Sequence, residues 1–248
     1  MKPTREPPAG KKTFVLVHGA WSGGWCYSDV ARQLRSRGHE VFSPTLTGVG
    51  ERSHLARLFP ISFDIHVQDV VNVLLWEELR DVVLCGHSYG GAVITGVADA
   101  LPERIAALIY VDAIIPEAGK SVLDINQSEE VVTGVLKSAA AAGGVLAAPL
   151  PAALLGTALE NTERVDRLST PHPLASLCGP VTLSGAWRKV QRRIYIRATG
   201  WAGYESLGYR SYDVVKAEEG WESVDVPCGH EVMLDAGGTL ADILENVL

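Results

Sequence analysis

Residues 81–97 read Asp81-Val82-Val83-Leu84-Cys85-Gly86-His87-Ser88-Tyr89-Gly90-Gly91-Ala92-Val93-Ile94-Thr95-Gly96-Val97. The run from Asp81 to Cys85 is short and apolar, the pattern of a buried strand, and Gly91 to Ala98 opens a packed helix. Between them stands Gly86-His87-Ser88-Tyr89-Gly90, a G-x-S-x-G pentapeptide. A serine on a sharp strand-to-helix turn is held in strained backbone geometry with its hydroxyl exposed. Glycines flank it because sterics admit little else. The pentapeptide alone is weak evidence, since glycine and serine are common in loops. Its place between strand and helix is the context the motif requires, and it marks Ser88 as a nucleophile.

Outward from this turn, strands and helices alternate. Phe14 to Val17 reads as a strand ending in His18-Gly19-Ala20, Tyr27 to Arg37 as a helix stopped by Gly38, and Glu40 to Phe42 as a second strand. Asp64 to Leu79 places Ile65, Val67, Val70, Val71, Leu74 and Leu75 at helical spacing. Downstream, Arg104 to Val111 and Arg193 to Ala198 read as strands. A helix near Tyr212 to Glu219, a strand Glu222 to Val226 and a helix from about Thr239 to Leu248 close the chain. Short buried strands joined by helical crossovers predict an α/β fold, a mostly parallel sheet with helices on both faces. From Pro116 to about Gly185 no clear strand is visible; alanine and leucine dominate, punctuated by Pro149, Pro151, Pro171, Pro173 and Pro180. This stretch, about 116–185, reads as an inserted, mainly helical cap within a single domain of residues 13–248. Residues 1–12, with three prolines and four basic residues, read as a flexible lead-in.

Bulk composition narrows the function. The chain has 248 residues, 47 % hydrophobic and 21 % charged, the profile of a globular protein with a substantial core. A net charge of −7 gives no support to nucleic-acid or anionic-membrane partners. Cys26, Cys85, Cys178 and Cys228 are far apart and form no C-x-x-C pair, so neither metal nor redox spacing is present. No signal-peptide core and no membrane-length apolar run is visible, and a cytoplasmic location is the expectation. The sequence does not speak to oligomeric state.

A serine hydroxyl attacks well only when a neighbouring base takes its proton. Of seven histidines, His230 stands directly after the last strand in Pro227-Cys228-Gly229-His230-Glu231. There it is carried over the carboxyl edge of the sheet, where Ser88 also emerges, and it is the candidate base. His18 and His87 abut the glycine turns and read as orienting or packing groups; His39, His54, His66 and His172 read as solvated. An oxyanion needs donors, and the amides of Tyr89 and Ala20 are the candidates. The acid that orients the imidazole is open at this point. The loop after Arg193–Ala198 holds no aspartate and reaches only Glu205, whereas Asp112 ends the strand from Arg104. Asp112, Glu205, another residue or no acid at all remain, and a turn-capping role competes for Asp112.

The stretches Leu16-Val17-His18-Gly19-Ala20-Trp21-Ser22-Gly23-Gly24-Trp25, Gly86 to Gly91 and Gly229-His230-Glu231-Val232-Met233-Leu234 resemble the α/β-hydrolase superfamily. The branch they resemble holds plant methyl-ester hydrolases, hydroxynitrile lyases and bacterial carboxylesterases such as pyrethroid hydrolases. Pro44 to His54 and Val111 to Glu117 add to the likeness to the bacterial carboxylesterases. The resemblance implies Ser88 as nucleophile, His230 as base, and Ala20 with Tyr89 as the oxyanion hole. Plant members carry an aspartate soon after the penultimate core strand; the matching position here is Trp201, which implies an acid relocated to Asp112. Hydroxynitrile lyases carry a lysine after the histidine, where this chain has Glu231, so a cation for departing cyanide is missing.

The expected activity is hydrolysis of carboxylic esters of hydrophobic small molecules, without metal or cofactor, with Trp21, Trp25 and Trp201 as candidate substrate contacts. A lyase, lactonase or cyclisation catalyst on the same scaffold is the nearest alternative, and a ligand receptor a more distant one. A serine-reactive phosphonate is expected to modify Ser88 and abolish ester turnover. Labelled protein that keeps full activity, or an adduct located elsewhere by mass spectrometry, would overturn the nucleophile assignment.

Overall fold

In the computed structural model, residues 10–125, 128–201 and 211–248 are described. Strand β1 (Thr13–Val17) alternates its side chains between two cores. Phe14 and Leu16 enter one apolar cluster, and Val15 and Val17 enter the other. The same alternation divides β3 (Val82–His87), with Val83 and Cys85 on one side and Val82 and Leu84 on the other. A strand apolar on both faces is stable only between two helical layers, and that is how the sheet is covered.

Helix α1 (Ser28–Ser36) follows β1 and leads to β2 (Glu40–Phe42), which pairs on one side of β1. The chain then crosses through α2 (Phe63–Trp76) to β3, on the other side of β1. Helix α3 (Tyr89–Ala100) and β4 (Ile105–Val111) continue outward. The sheet is completed by β7 (Arg192–Ala198) and β8 (Trp221–Val226), giving the order β2-β1-β3-β4-β7-β8, every pair parallel. The winding reverses between β1 and β3. Loops leaving the carboxyl ends of those two strands diverge there and open a crevice, the place where ligands bind in open parallel sheets. The turn His18–Trp21 leaves β1 at this point, and Ser88 leaves β3.

Between β4 and β7 the described chain is mainly helical: α4 (Val122–Ile125), α5 (Glu129–Ala141), α6 (Leu159–Leu168) and α7 (Leu174–Cys178). Two short strands also occur here, β5 (Leu146–Ala147) and β6 (His172–Pro173), paired antiparallel. At two residues each, they are too short for an alternating pattern to register in the sequence. Helices α8 (Ser211–Ala217), α9 (Val232–Asp235) and α10 (Gly237–Glu245) end the fold. Among the described residues no helix is long and apolar enough to cross a membrane.

The buried face of α2 differs from the stripe expected for it. Phe63, His66, Val70, Val71 and Leu74 are buried, while Leu75 is exposed and Ile65 and Val67 are half-buried. Phe63, His66, Val70 and Leu74 step by three or four residues, so a polar side chain shares the inner stripe. Two further histidines expected to be solvated are also buried. His172 sits in β6, and His39 packs edge-on to Phe14; His54 alone of the four is exposed.

The junction of β3 and α3 is packed backbone against backbone. A Cβ on Gly90 would come within 2.6 Å of the carbonyl oxygens of Val17 and His18. Neither carbonyl moves freely, because both belong to the end of β1. Gly90→Ala is therefore expected to destabilise the fold by about 1–3 kcal/mol, read as a lower urea midpoint. An unchanged midpoint would show that β1 and α3 are less tightly opposed than this geometry requires.

Candidate active site

Ser88 has φ +52° and ψ −122°, a conformation that side chains rarely adopt. Its neighbours enforce it. The Ser88 amide donates to Val111 O at 3.2 Å, and its carbonyl accepts from Ile114 N and Gly91 N, both at 3.0 Å. The backbone of Ser88 is thus tied to the end of β4 on one side and to α3 on the other. Its side chain faces a cavity of about 50 Å³ with Ala20, Trp21, Tyr89 and His230.

His230 follows β8 and is held from all sides. Its amide donates to Leu155 O at 3.0 Å, and its carbonyl accepts from His87 Nε2 at 3.0 Å. The imidazole is flanked by the rings of His87 and Trp201, with centroids 4.5 and 4.8 Å away. Its Nδ1 lies 2.7 Å from Asp112 Oδ2, both residues being buried. With Nδ1–H donating to the carboxylate, the lone pair of the ring is on Nε2.

Asp112 is itself constrained. It has φ +42°, its amide donates to Ile196 O at 2.7 Å, and its Oδ1 accepts from Ala198 N at 3.3 Å. The carboxylate therefore bridges the ends of β4 and β7 and the loop after β8. Glu205 lies outside the described residues. Five described non-glycine residues have positive φ, and Trp21, Ser88 and Asp112 are three of them. Strain of about 1–3 kcal/mol at each persists because the surrounding hydrogen bonds over-determine the backbone.

The turn after β1 is set by His18. Leu46 N donates to His18 Nε2 at 3.0 Å, so the proton resides on Nδ1, which donates to Gly19 O at 2.8 Å. In the trans peptide joining Gly19 to Ala20, the Gly19 carbonyl faces His18 and the Ala20 N–H points the opposite way. Tyr89 opens α3, where the first amides have no partner within the helix. The phenol of Tyr89 donates to His66 Nδ1 at 2.8 Å, since His66 Nε2–H is committed to Thr47 O at 2.8 Å.

Of the three tryptophans expected at the substrate, only Trp21 lines the cavity. Trp201 packs against the His230 ring with the planes 37° apart, and Trp25 is half-buried against the core with Arg164 over its ring. The remaining walls are apolar: Ile114, Val122, Leu123, Val131, Val135, Leu150, Leu155 and Leu177. Sequence reasoning missed His66 and His172, both fully buried beside Tyr89. The spacing of His66 four residues before Val70 was a usable signal, as were the prolines on both sides of His172, which favour extended, ordered backbone. Among the described residues, no cluster of His, Cys, Asp or Glu is arranged to hold a metal.

Burial keeps four of these histidines neutral. It lowers His18 to about 4, lowers His66, and drives His87 and His172 well below the usual imidazole range. The unfolded chain takes up these protons near pH 6.5, whereas the folded protein resists them. Their contribution to stability is complete above about pH 6.5 and is lost as pH falls below it, toward about 4 for His18. For His18 the loss is expected to approach about 1.4 kcal/mol per pH unit between these limits. Urea midpoints at pH 7, 6 and 5 measure it; a midpoint independent of pH would contradict neutral burial.

Residues 14–243 match the model of the alpha/beta hydrolase family. Over 239 residues, 93 % of this chain and 97 % of the relative, the sequence is 41 % identical to a carbendazim hydrolyzing esterase of Nocardioides sp.. Over 108 residues, 43 % of this chain and 37 % of the relative, it is 36 % identical to a pyrethroid hydrolase of Sphingobium wenxiniae. Among solved structures, an extracellular alpha/beta-hydrolase from a Paenibacillus species superposes with a TM-score of 0.80. That match covers 94 % of this chain and 97 % of the other, at 22 % identity.

Proposed function

Because the chain belongs to the alpha/beta hydrolase family and is a carboxylesterase-type enzyme, we propose that it cleaves carboxylic esters of hydrophobic small molecules through an acyl-enzyme on Ser88. The observation that carries this reading is the buried 2.7 Å contact between His230 Nδ1 and Asp112 Oδ2, with Ser88 and His230 on one cavity wall. His230 Nε2 takes the proton of Ser88 Oγ as the oxygen attacks the ester carbonyl. Asp112 holds the tautomer and stabilises the imidazolium that forms. The carbonyl oxygen becomes an oxyanion, received by the amides of Ala20 and Tyr89. Collapse breaks the bond to the alkoxy oxygen, and His230 returns the proton to that leaving group. Water, deprotonated by His230, then attacks the acyl-enzyme, and the carboxylic acid product departs as Ser88 regains its proton.

The apolar walls favour an uncharged acyl or alcohol group. The reading of residues 116–185 as a cap is supported by Val122, Leu123, Val131, Val135, Leu150, Leu155 and Leu177, which line the cavity together with Ser88. A cavity of about 50 Å³ is far below the roughly 300–1,000 Å³ of small-molecule sites, so the cap opens to admit substrate. Short aryl esters and carbendazim, the compound in the name of the relative from Nocardioides, are the first substrates to try. A cytoplasmic location is part of this reading.

Asp112→Asn is expected to lower kcat by up to about 10⁴-fold with the fold intact, because the amide favours the wrong imidazole tautomer. Ser88→Ala is expected to abolish turnover. An Asp112→Asn enzyme with near wild-type kcat would return Asp112 to a turn-capping role. Ester turnover surviving Ser88→Ala would remove the covalent mechanism.

A further inference from the structure

Trp21 is the residue after Ala20, and its backbone is held at φ +61°. Its amide donates to His172 Nδ1 at 3.2 Å, its indole Nε1 to Ala147 O at 3.1 Å, and its carbonyl accepts from Thr170 N at 2.8 Å. All three partners lie in the segment between β4 and β7, more than a hundred residues away in sequence. His172 and Ala147 face each other across the β5–β6 ladder, so one small structure grips both the backbone and the side chain of Trp21.

The imidazole of His172 suits this task in one tautomer only. Ser176 Oγ donates its single proton to Pro173 O at 2.8 Å, so it accepts from His172 Nε2–H at 2.9 Å. Nδ1 is then left with its lone pair, aimed at the Trp21 amide. Burial, with His66 and His18 nearby, disfavours a second proton that would cancel that lone pair.

We propose that His172 is a positioning residue: by holding the Ala20–Trp21 peptide from the cap side, it aims the Ala20 amide at the reacting carbonyl. His18 fixes the preceding peptide, which carries the Ala20 N–H itself, so the donor lies in one histidine-anchored peptide plane and is followed by a second. The Trp21 amide is spent on His172, and the oxyanion therefore receives Ala20 and not Trp21. The ladder also couples chemistry to the cap, because displacing β5 and β6 releases Trp21. This proposal rests on the assignment of Ser88 and Ala20 to ester hydrolysis.

The test compares His172→Leu, which fills the space without an acceptor, with His172→Asn, whose Oδ1 can stand near the position of Nδ1. Steady-state kinetics on a short aryl ester are measured together with affinity for a trifluoromethyl ketone, which forms an oxyanion on the serine. His172→Leu is expected to lower kcat about 10- to 100-fold, weaken the ketone in proportion and leave KM within about threefold. His172→Asn is expected to recover most of both. Wild-type kcat in the leucine variant, equal loss in both variants, or a KM change without a kcat change would overturn the proposal. If His172→Leu does not fold, Ser176→Ala, which removes the acceptor that fixes the His172 tautomer, decides. A lower kcat with matching loss of ketone affinity supports the clamp, and wild-type values overturn it. Turnover surviving Ser88→Ala would instead refute the underlying mechanism, so the two failures are distinguishable.

Discussion

The left-handed backbone at Ser88 is the constraint on which the rest of the site depends. A strand that ran straight into a helix would place this side chain in the core. The turn instead lifts it over the carboxyl edge of the sheet, at the cost of a strained backbone. To hold it, β1 and β4 close in on both sides, through Val111 O, Ile114 N and the backbone surface that Gly90 meets at Val17 and His18. Every other component is placed relative to that point. The sheet order brings β1 and β4 next to β3, and their carboxyl ends supply the Ala20 turn and Asp112.

The Asp112–His230 contact illustrates how a parallel sheet joins distant segments. Asp112 and His230 are 118 residues apart, and their contact passes over β7. A carboxylate leaving β4 can reach the loop after β8 because its backbone turns to φ +42° and its second oxygen accepts from Ala198 N at the end of β7. The ends of β4, β7 and β8 are thereby joined through one side chain. At the position where an aspartate was absent, Trp201 packs on the imidazole and restricts it from the other side.

Around this centre lies a layer of neutral histidines. His18 orders the turn after β1, His87 supports the His230 carbonyl, His66 anchors the Tyr89 phenol, and His172 receives the Trp21 amide. His18, His66 and His172 use both ring nitrogens, and His87 its Nε2, as donors or acceptors toward backbone atoms and neighbouring hydroxyls, which aliphatic side chains of similar size cannot do. Such groups set direction as well as volume, and here direction decides where the amides and Ser88 point. The burial that makes them rigid also makes them sensitive to acid.

Some of this was legible in the chain itself. Apolar runs of strand length separated by helical stretches determined the layered parallel sheet, and the strand–turn–helix setting of Gly86 to Gly90 determined where Ser88 would emerge. Those signals are local: hydrophobic periodicity and glycine sterics act over a few residues. The contact between Asp112 and His230 was not local, because it depends on which loop ends reach His230 once β4, β7 and β8 are paired. Nor was the burial of His66 and His172. A histidine reads as polar until packing supplies partners for both ring nitrogens, and those partners, Thr47 O, the Tyr89 phenol, Trp21 N and Ser176 Oγ, come from four different segments. The tertiary structure decided these matters because hydrogen-bond satisfaction of a buried group depends on residues that only folding brings together.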